Sequence, residues 1–361
     1  MRCQWDARIH RLGRKPPAPS SKLPCGLIGA GSFFQYAYLP VLNRKNSPVS
    51  ISGVLTRSEQ TAREARRVMR YASQSFDSLE AMKGSGVNSV LILAPNHLHF
   101  DFAQKALEAG LNVFCEKPLA NNVADALALK TRADKAGCVL MVDFNQRFLD
   151  RNHVLKQVIT NNRVGKIESV HAYHNQDLTG QMPHIERLHK NVTGGGVVHN
   201  AGIHFINLFL YWFRDVDRVN AVFENRALPK ECGEDTARCQ FWFRNGVTAT
   251  LEASLSNAVS TTYERVRLVG EKGEISSDLK KGDIRCRLEG KRRFKIPCKQ
   301  EVISDSVGNA LAHFEHCVST GARPETDVDD SIRTMKVVEA LTLAAQRRAD
   351  VELDEIERKY A

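Results

Sequence analysis

The chain has 361 residues, 42% of them hydrophobic and 25% charged, which is an ordinary composition for a globular protein. A chain of this length exceeds what one compact core usually holds, so two domains are expected. No apolar run approaches the roughly 20 residues that cross a bilayer, which argues against a membrane span and favours a cytoplasmic protein.

The net charge of +10 is unevenly distributed along the chain. Residues 1–21 are rich in arginine and proline, and we interpret them as a disordered leader, with a transit segment or a misplaced start site as alternatives. A second basic stretch, Lys280–Lys299, alternates apolar and basic residues like the exposed face of a strand. It lacks an aromatic pattern that would stack on bases, so an anionic small molecule or a cofactor phosphate explains it at least as well, and no nucleic-acid partner is predicted.

The nine cysteines are scattered, odd in number and never spaced Cys-x-x-Cys. This pattern favours reduced thiols over a disulfide framework or a zinc site. The histidines do not group with other metal ligands either, so we predict no metal centre.

Between residues 22 and 146, short apolar runs alternate with helical segments. The predicted strands contain CGLIGAG, SISGVLTR, VNSVLILAPN, LNVFCEKP and CVLMVDFN, and two of the helices between them end on Gly110 and Gly137. Strands that alternate with helices of ten or more residues indicate right-handed crossovers and a buried parallel sheet. We therefore predict an α/β fold whose N-terminal domain, 22–146, is a doubly wound Rossmann sheet.

The pattern changes after the predicted Rossmann domain. A helix (147–162) and a glycine-rich loop that runs into an apolar helix (194–213) precede a series of consecutive strands. Arg244-Asn245-Gly246 predicts a tight hairpin turn, because Asn-Gly tolerates positive φ at both central positions. Consecutive strands without intervening helices indicate an α+β domain at 147–361 with an open, mostly antiparallel sheet, closed by a long helix at about 328–348.

The first predicted strand runs into the turn Gly29-Ala30-Gly31-Ser32-Phe33-Phe34. Its first two glycines match the G-x-G-x-x-G fingerprint, in which a tight turn lets the backbone approach a pyrophosphate. Phe34 replaces the third glycine, so strand and helix must pack differently there. We predict that Gly29, Gly31, Ser32 and Phe33 bind a dinucleotide.

The second predicted strand ends at Thr56-Arg57-Ser58, with no carboxylate before Glu59. An NAD site usually has Asp or Glu in this region to bond the ribose 2′-hydroxyl. Hydroxyls that flank an arginine suit a 2′-phosphate, which needs charge-assisted donors. NADP(H) is therefore favoured, and NAD(H) stays an alternative if Arg57 only lies on the surface.

Four motifs follow one another along the chain: GLIGAGSFF, APNHLH, CEKPLA and GGGVVHNAGIH. From about Pro24 to the C-terminal helix, this ordered set resembles the glucose–fructose oxidoreductase / inositol dehydrogenase / MocA family. The resemblance implies a Rossmann domain followed by an antiparallel α/β domain, with the active site between them. It also implies nicotinamide-dependent hydride transfer on a sugar, nucleotide sugar or cyclitol, and a homodimer or homotetramer formed through the C-terminal sheet.

Lys117 lies at the carboxyl end of a predicted parallel strand, where open α/β sheets bind ligands. An ammonium at this position can hydrogen-bond the reacting oxygen of a substrate and stabilise a developing alkoxide, and Pro118 fixes the backbone that aims it. The resemblance gives this role to the lysine of the Glu-Lys-Pro motif. It places Glu116 beside the cofactor.

His204 is the preferred acid/base. Asn200 and His204 are four residues apart and share one face if the segment is helical. The resembled family usually has Asp-x-Gly-x-His here, so the carboxylate that would raise the basicity of the histidine is replaced by Asn200, which could orient a substrate hydroxyl. This departure resembles a branch that acts at C3 of nucleotide-linked amino sugars or their uronates. His199 is the alternative imidazole.

Further candidates follow the third and fifth predicted strands. Pro95, Asn96 and His97 are predicted to line the cofactor edge, or else only to form a turn. By resemblance, Asn145 and Arg147 reach the substrate, and an interdomain ion pair is the alternative for Arg147.

Three more substrate candidates lie after a strand of the second domain: Tyr173, His174 and Gln176.

Two rival functions were weighed against a sugar oxidoreductase. A short-chain dehydrogenase would need a Tyr-x-x-x-Lys pair, and no tyrosine of this chain has a lysine four residues later. The other rival is a catalytically inactive, dinucleotide-sensing regulator with the same fold. The retention of both Lys117 and His204 argues against it. The sequence therefore predicts an NAD(P)-dependent dehydrogenase or reductase acting on CH–OH groups.

Overall fold

The computed structural model of the chain describes residues 22–69, 74–179, 189–256, 263–278 and 282–361. The predicted leader, 1–21, and the start of the predicted basic stretch lie outside these described residues. The rest of the chain forms two β-sheets with helices packed on them. None of the described helices combines the length and apolar character needed to span a bilayer.

The first sheet is parallel throughout and has the strand order β3-β2-β1-β4-β5-β6. The strands are β1 (Leu23–Ile28), β2 (Val49–Leu55), β3 (Gln74–Ser75), β4 (Ser89–Ile92), β5 (Asn112–Glu116) and β6 (Leu140–Asp143). The order reverses between β1 and β4, so a crevice opens at the carboxyl ends of these strands. The predicted doubly wound Rossmann sheet is confirmed.

The helices of this half connect the strands at both faces of the sheet. They are α1 (Leu39–Leu42) with a π-helical turn before it (Phe34–Tyr38), α2 (Glu59–Val68), α3 (Leu79–Gly84), α4 (His99–Glu108) and α5 (Val123–Ala136). Side chains of Ser58, Ser78 and Asn122 cap α2, α3 and α5 by accepting a backbone N–H of the first turn. Gly110 and Gly137 end α4 and α5 with positive φ, as predicted.

The second sheet has nine strands in the order β14-β13-β12-β11-β7-β10-β9-β8-β15. Its neighbours are antiparallel except for β7 and β10, which run parallel, so the sheet is mixed but mostly antiparallel as predicted. The strands are β7 (Ile167–Asn175), β8 (Val216–Glu224), β9 (Thr236–Phe243), β10 (Thr248–Ser254), β11 (Tyr263–Gly270), β12 (Gly273–Asp278), β13 (Asp283–Leu288), β14 (Phe294–Ile296) and β15 (Val351–Glu352).

The helices of the second half either cover one face of this sheet or, like the helix at Ile303–Thr320, pack on the first sheet. They are α6 (Asp150–Thr160), α7 (Lys190–Thr193), α8 (Ile203–Phe213), α9 (Ile303–Thr320), α10 (Val328–Arg347) and α11 (Leu353–Lys359), with a second π-helical turn (Val198–Gly202) leading into α8. The predicted hairpin is confirmed, because β9 and β10 pair antiparallel around Asn245-Gly246. The expected positive φ at both positions is wrong: only Gly246 has one (+88°), and its N–H donates to the backbone oxygen of Phe243 to close the turn.

Two features of the C-terminal part differ from the prediction. The long helix α10 does not close the chain, because Arg348 adopts a left-handed conformation (φ 56°) and turns the chain into β15, which pairs with β8, and then into α11. Helix α9 was not predicted. It packs on the Rossmann sheet, where the ring of Phe314 lies 5.5 Å from that of Phe114 on β5. A helix from the second half therefore completes the core of the first.

Replacing Phe314 by alanine tests this docking. Phe314 is fully buried, so Phe314→Ala should lower the free energy of unfolding by about 3–5 kcal/mol, through lost transfer energy and the cavity left behind. The matched control is Val302→Ala, just before the same helix at a side chain that is 64% exposed, which should change it by less than about 0.5 kcal/mol. Guanidinium denaturation measures both, and equal small effects would contradict the docking.

Candidate active site

The glycine turn after β1 leaves room for a ligand at one position and none at the other. Gly29 has a φ of +86°, and a Cβ there would lie 2.7 Å from the backbone nitrogen of Ala94 after β4. A Cβ on Gly31 would meet nothing within 4 Å, so the backbone there is open. The chain becomes helical at the next residue, Ser32, and Phe33 is 39% exposed. An open backbone turn at a helix N-terminus fits a dinucleotide pyrophosphate.

Phe34 alters how the strand and the helix pack. It begins the π-helical turn Phe34–Tyr38, and its side chain is buried in the apolar core of the Rossmann half. The prediction of different packing at this position is confirmed. The same turn places the hydroxyl of Tyr38 against the carboxyl ends of β5 and β6.

Tyr38, Glu116 and Asp143 form a buried acid cluster. The Tyr38 hydroxyl lies 2.6 Å from Oε1 of Glu116 and 2.5 Å from Oδ2 of Asp143. One hydroxyl proton cannot serve two carboxylates, so one carboxyl group must hold a proton of its own. Burial, followed by the charge of Glu116, raises the pKa of Asp143 well above its ordinary value. Burial also raises the pKa of Glu116, against the opposing charge of Lys117.

Lys117 directly follows Glu116 of this acid cluster, and its side chain reaches into the second half of the chain. Its backbone N–H donates to Oε2 of Glu116 (3.1 Å), and its ammonium Nζ donates to the carbonyl oxygen of Asn200 (2.6 Å). Burial lowers the pKa of the ammonium, while the charges of Glu116 and Asp143 act in the opposite direction. Lys117 is therefore held at the junction of the two halves, within the influence of the Glu116 and Asp143 carboxyl groups.

Two histidines lie within reach of the Lys117 charge. Burial and then Lys117 lower the pKa of His199 to about 4. Burial, Lys117 and His174, in that order, lower the pKa of His204 well below its ordinary value. Both imidazoles are neutral at neutral pH, the state in which a histidine can accept a proton. Nδ1 of His204 is buried and has no hydrogen-bond partner among the described residues.

Asn200 belongs to the π-helical turn Val198–Gly202 that precedes α8. It meets Lys117 through its backbone oxygen rather than through its amide. Insertions of this kind recur in helices at functional sites.

Glu234 holds the glycine-rich loop, and the sequence analysis missed it. Its carboxylate accepts the backbone N–H groups of Gly196 (3.3 Å) and Val198 (3.0 Å). A Cβ on residue 196 would lie 2.0 Å from the backbone oxygen of Glu234, so only glycine fits. Burial raises the pKa of Glu234, against the hydrogen bonds from the loop. No local motif marks it, because it meets the loop across 38 residues of sequence.

The acid cluster left one signal in the sequence. Asp143 follows three apolar residues at the end of β6, and Glu116 stands at the same edge on β5, where the two residues pair in register. Two carboxylates at the ends of consecutive apolar strands therefore indicate that the two side chains lie next to each other at the edge of the sheet.

The turn after β4, which is predicted to line the cofactor, contacts the residue that precedes the glycine-rich loop. The Asn96 amide donates to the backbone oxygen of Thr193 (3.1 Å), while Pro95 and His97 are exposed beside it. His99, another residue that was missed, is buried and bridges the backbone oxygens of Pro118 and Ala94, both at 2.7 Å.

At the end of β2, Ser58 serves as the N-cap of α2, and Thr56 donates to the backbone oxygen of Ser58. Arg57 is exposed and has no ion pair within the part of the chain that the structure describes. The carboxylate of Glu59 is occupied by Arg66 at 2.9 Å.

For Arg147 the structure shows the ion-pair alternative. Its guanidinium bonds Asp330 on α10 at 3.2 Å, donates to the backbone oxygen of Glu325 and lies 3.9 Å from the ring centre of Tyr211. The guanidinium is buried and engaged by protein groups, and the predicted substrate contact stays a prediction. Asn145 is likewise buried, with 2% of its area exposed.

The three candidates predicted to follow the strand diverge, because Tyr173 and His174 lie within β7 and only Gln176 follows it. His174 is buried against α8, with its ring 6.1 Å from that of Phe205. Tyr173 points to the opposite face of the sheet, where it lines a groove with Arg265 and Arg285. Gln176 hydrogen-bonds β10 through its backbone. Of the three, His174 packs on the helix that carries His204.

No group of three or more His, Cys, Asp or Glu side chains suited to a metal ion occurs among the described residues. The cysteines within those residues are all free.

The acid cluster makes a pH-dependent prediction. Because the native state raises the pKa of Asp143, its protonated form stabilises the fold at low pH, and stability is lost as pH rises toward that raised value. The slope can reach about 1.4 kcal/mol per pH unit for one proton. Asp143→Asn should remove this decline, because an amide does not titrate.

Chemical denaturation from about pH 5 to 8 measures the slope. The exposed carboxylate variant Asp101→Asn, on α4, is the control and should keep the slope of the wild type. Identical slopes for Asp143→Asn and the wild type would contradict a protonated acid cluster.

Comparison with known proteins places this geometry in context. D-apiose dehydrogenase of Paraburkholderia graminis is 24% identical over 312 residues, which span 80% of this chain and 81% of the relative. Myo-inositol 2-dehydrogenase of Thermotoga maritima is 26% identical, spanning 82% and 89%. The solved structure of levoglucosan dehydrogenase, in complex with NADH and levoglucosan, shares the fold with a TM-score of 0.82 at 21% identity, covering 92% of this chain and 100% of that one.

Family models match both halves of the chain. Residues 23–144 match the oxidoreductase family with an NAD-binding Rossmann fold, and residues 153–276 match the GFO/IDH/MocA C-terminal domain. Together they cover more than half of the chain, and the prediction of an NAD(P)-dependent oxidoreductase is confirmed at the level of the family. The chain therefore belongs to the Gfo/Idh/MocA family of oxidoreductases.

Proposed function

We propose that this protein transfers a hydride between the nicotinamide of NAD(P) and a secondary alcohol or ketone of a sugar, nucleotide sugar or cyclitol. One observation carries the proposal. The ammonium of Lys117, at the carboxyl edge of the Rossmann sheet, donates to the backbone oxygen of Asn200 in the turn that leads to His204. Burial, followed by the charge of Lys117, lowers the pKa of His199 and His204, which come from the other half of the chain. A hydrogen-bond donor and a neutral base thus meet at the edge where a dinucleotide fits.

The roles follow from the chemistry of each group. The bound dinucleotide would supply the hydride acceptor or donor, held by the turn Gly29–Ser32 and the Pro95–His97 segment. Lys117 would donate a hydrogen bond to the substrate oxygen and stabilise its negative charge. His204 would accept the hydroxyl proton during oxidation and return it during reduction. The amide of Asn200 would orient a neighbouring hydroxyl.

The substrate class rests on relatives and on one substitution. The relatives compared above are named for D-apiose, myo-inositol and levoglucosan, which favours polyhydroxylated rings. Asn200, in place of the usual aspartate, favours the narrower proposal of a nucleotide-linked amino sugar or uronate oxidised at C3. A homodimer or homotetramer through the open face of the second sheet, and a cytoplasmic location, remain predictions.

The choice of dinucleotide rests on Arg57. It is exposed at the end of β2, and the carboxylate of Glu59, two residues later, is bound to Arg66. A free guanidinium would attract a 2′-phosphate. We therefore propose NADP(H) over NAD(H).

Lys117→Met removes the ammonium and keeps the length of the side chain. It should lower kcat/KM by about 100-fold or more, the usual loss for one transition-state donor. The assay is NADP- and NAD-linked turnover across free sugars, cyclitols and nucleotide sugars, followed by kinetics on the best substrate. Lys105→Met, at an exposed lysine of α4, is the control and should match the wild type. Full activity in Lys117→Met would overturn the mechanism, and no dinucleotide binding by calorimetry would overturn the function.

Arg57→Ala tests the choice of dinucleotide. It should weaken NADP(H) binding by about tenfold or more, because a charge-assisted hydrogen bond is lost, and leave NAD(H) binding unchanged. Calorimetry on the wild type, Arg57→Ala and the exposed α2 control Arg63→Ala measures this. Equal affinities of the wild type and Arg57→Ala for NADP(H) would contradict a phosphate contact.

A further inference from the structure

His204 lacks the carboxylate partner that supports a catalytic histidine. Residue 200, one turn earlier, is an asparagine. Nδ1 of His204 is nevertheless buried, and the described residues offer it no hydrogen bond. An unpartnered polar atom in a buried position calls for an explanation.

A second histidine lies on the strand beneath α8. His174 is on β7, with 7% of its side chain exposed, and its ring packs edge-on against Phe205, the neighbour of His204. Burial, then the charge of Lys117 and then that of His174 lower the pKa of His204. Nε2 of His174 is also buried and unpartnered among the described residues. Two orphan imidazole nitrogens thus occur on two elements that pack on each other through His174 and Phe205, β7 and the start of α8.

The other nitrogen of His174 meets a carboxylate. His174 and Glu264 stand directly opposite each other in the antiparallel pairing of β7 with β11. Nδ1 of His174 lies 3.0 Å from Oε1 of Glu264, whose side chain is 24% exposed. This is the arrangement in which a carboxylate fixes a histidine tautomer and stabilises its protonated form.

The surrounding charges favour an ionised Glu264. Burial acts to raise the pKa of Glu264, but the hydrogen bond and charge of His174, followed by the charge of Arg151 on α6, lower it overall. The side chain of Arg151 is buried and donates a hydrogen bond to the side-chain oxygen of Gln146. From the other side, Lys117 disfavours a positive charge on His204. An ionised Glu264 therefore faces His174 at hydrogen-bonding distance.

We propose that His174 and Glu264 form a proton relay behind His204, supplying from β7 and β11 the carboxylate that residue 200 lacks. The relay rests on the proposed function. His174 and Glu264 act through His204, so they are positioning residues and not groups that touch the substrate.

In the proposed relay, one proton moves from the substrate hydroxyl to His174 by way of His204. During alcohol oxidation, the hydride leaves the substrate carbon with its electron pair, and the hydroxyl proton passes to one ring nitrogen of His204. His204 releases its other ring proton to Nε2 of His174, and the resulting imidazolium is neutralised by Glu264. The two ring nitrogens are not directly hydrogen-bonded, so transfer uses a ring rotation or one bridging water, for which both atoms are suitable partners. Reduction runs the same path backwards.

The kinetic test compares Glu264→Gln and His174→Gln with the wild type on the best substrate. Both variants should lower kcat/KM for oxidation by about 10- to 100-fold and move the acid limb of its pH profile to lower pH, because the relay then holds a proton less tightly. The double variant should be no worse than His174→Gln alone, since both act in one chain. His171→Gln is the control, because His171 is on the same strand and bonds Thr250 on the other face.

A second measurement needs neither substrate nor cofactor. NMR titration of the imidazole nitrogens in the unliganded protein should show that Glu264→Gln and His174→Gln shift the titration of His204, whereas His171→Gln leaves it unchanged. Glu264→Asp, which keeps a shorter carboxylate, serves if Glu264→Gln does not fold.

The outcomes separate the explanations. An unmoved pH profile with a raised KM would show that His174 contacts the substrate, and an unmoved His204 titration would show a purely structural pair; either result overturns the relay. If the wild type turns over no substrate, the proposed function fails, and the NMR result still decides whether His204 and His174 are coupled.

Discussion

The buried ammonium of Lys117 is the constraint around which the site is arranged. A cation removed from water is tolerated only where opposite charge or hydrogen-bond acceptors replace its hydration. Here the Tyr38–Glu116–Asp143 cluster in the Rossmann half supplies acidic groups, and the backbone oxygen of Asn200 in the second half accepts the hydrogen bond of the ammonium. The acceptors come from opposite halves of the chain, so the position of the ammonium depends on how the two halves pack.

That packing is secured by elements that cross between the halves. Helix α9 returns to the Rossmann sheet and buries Phe314 there. Arg147, at the exit from the first half, is paired with Asp330 on α10, and Asn207 on α8 donates to the same carboxylate at 2.7 Å. Buried pairs of this kind add little net stability but strongly disfavour arrangements that leave one partner alone. They therefore fix the orientation of α8, which carries His204.

Local signals made much of this predictable. The glycine turn, the helix caps, the Asn-Gly hairpin and the order of strands and helices each depend on a few adjacent residues. The position of Lys117 at the edge of the sheet followed from strand order alone. What could not be predicted depends on contacts between distant segments. Helix α9 packs its apolar face on a sheet formed more than 150 residues earlier, and Glu264 meets His174 across a register separated by 90 residues. An ion pair could be predicted as an alternative for Arg147, but its partner Asp330 could not be named, because it lies 183 residues away.

Asn200 is a second case in which the sequence alone did not show a contact between distant segments. Its sequence position indicates a missing carboxylate, and nothing local shows what replaces it. In the fold, its backbone oxygen accepts a hydrogen bond from Lys117, while the carboxylate of Glu264 contacts His174, through which the proposed relay would reach His204. A function carried by one residue in a motif can thus be distributed over a strand pair elsewhere.

The central claim is that Lys117 and His204 converge on one substrate oxygen beside the nicotinamide. A crystal structure of a dead-end complex, with reduced dinucleotide and the alcohol form of the best substrate, tests it most directly. The account predicts the reacting oxygen within about 2.6–3.2 Å of both Nζ of Lys117 and a ring nitrogen of His204. A substrate oxygen bound only by His199 or by the amide of Asn200, with Lys117 still bonded to the backbone, would contradict it.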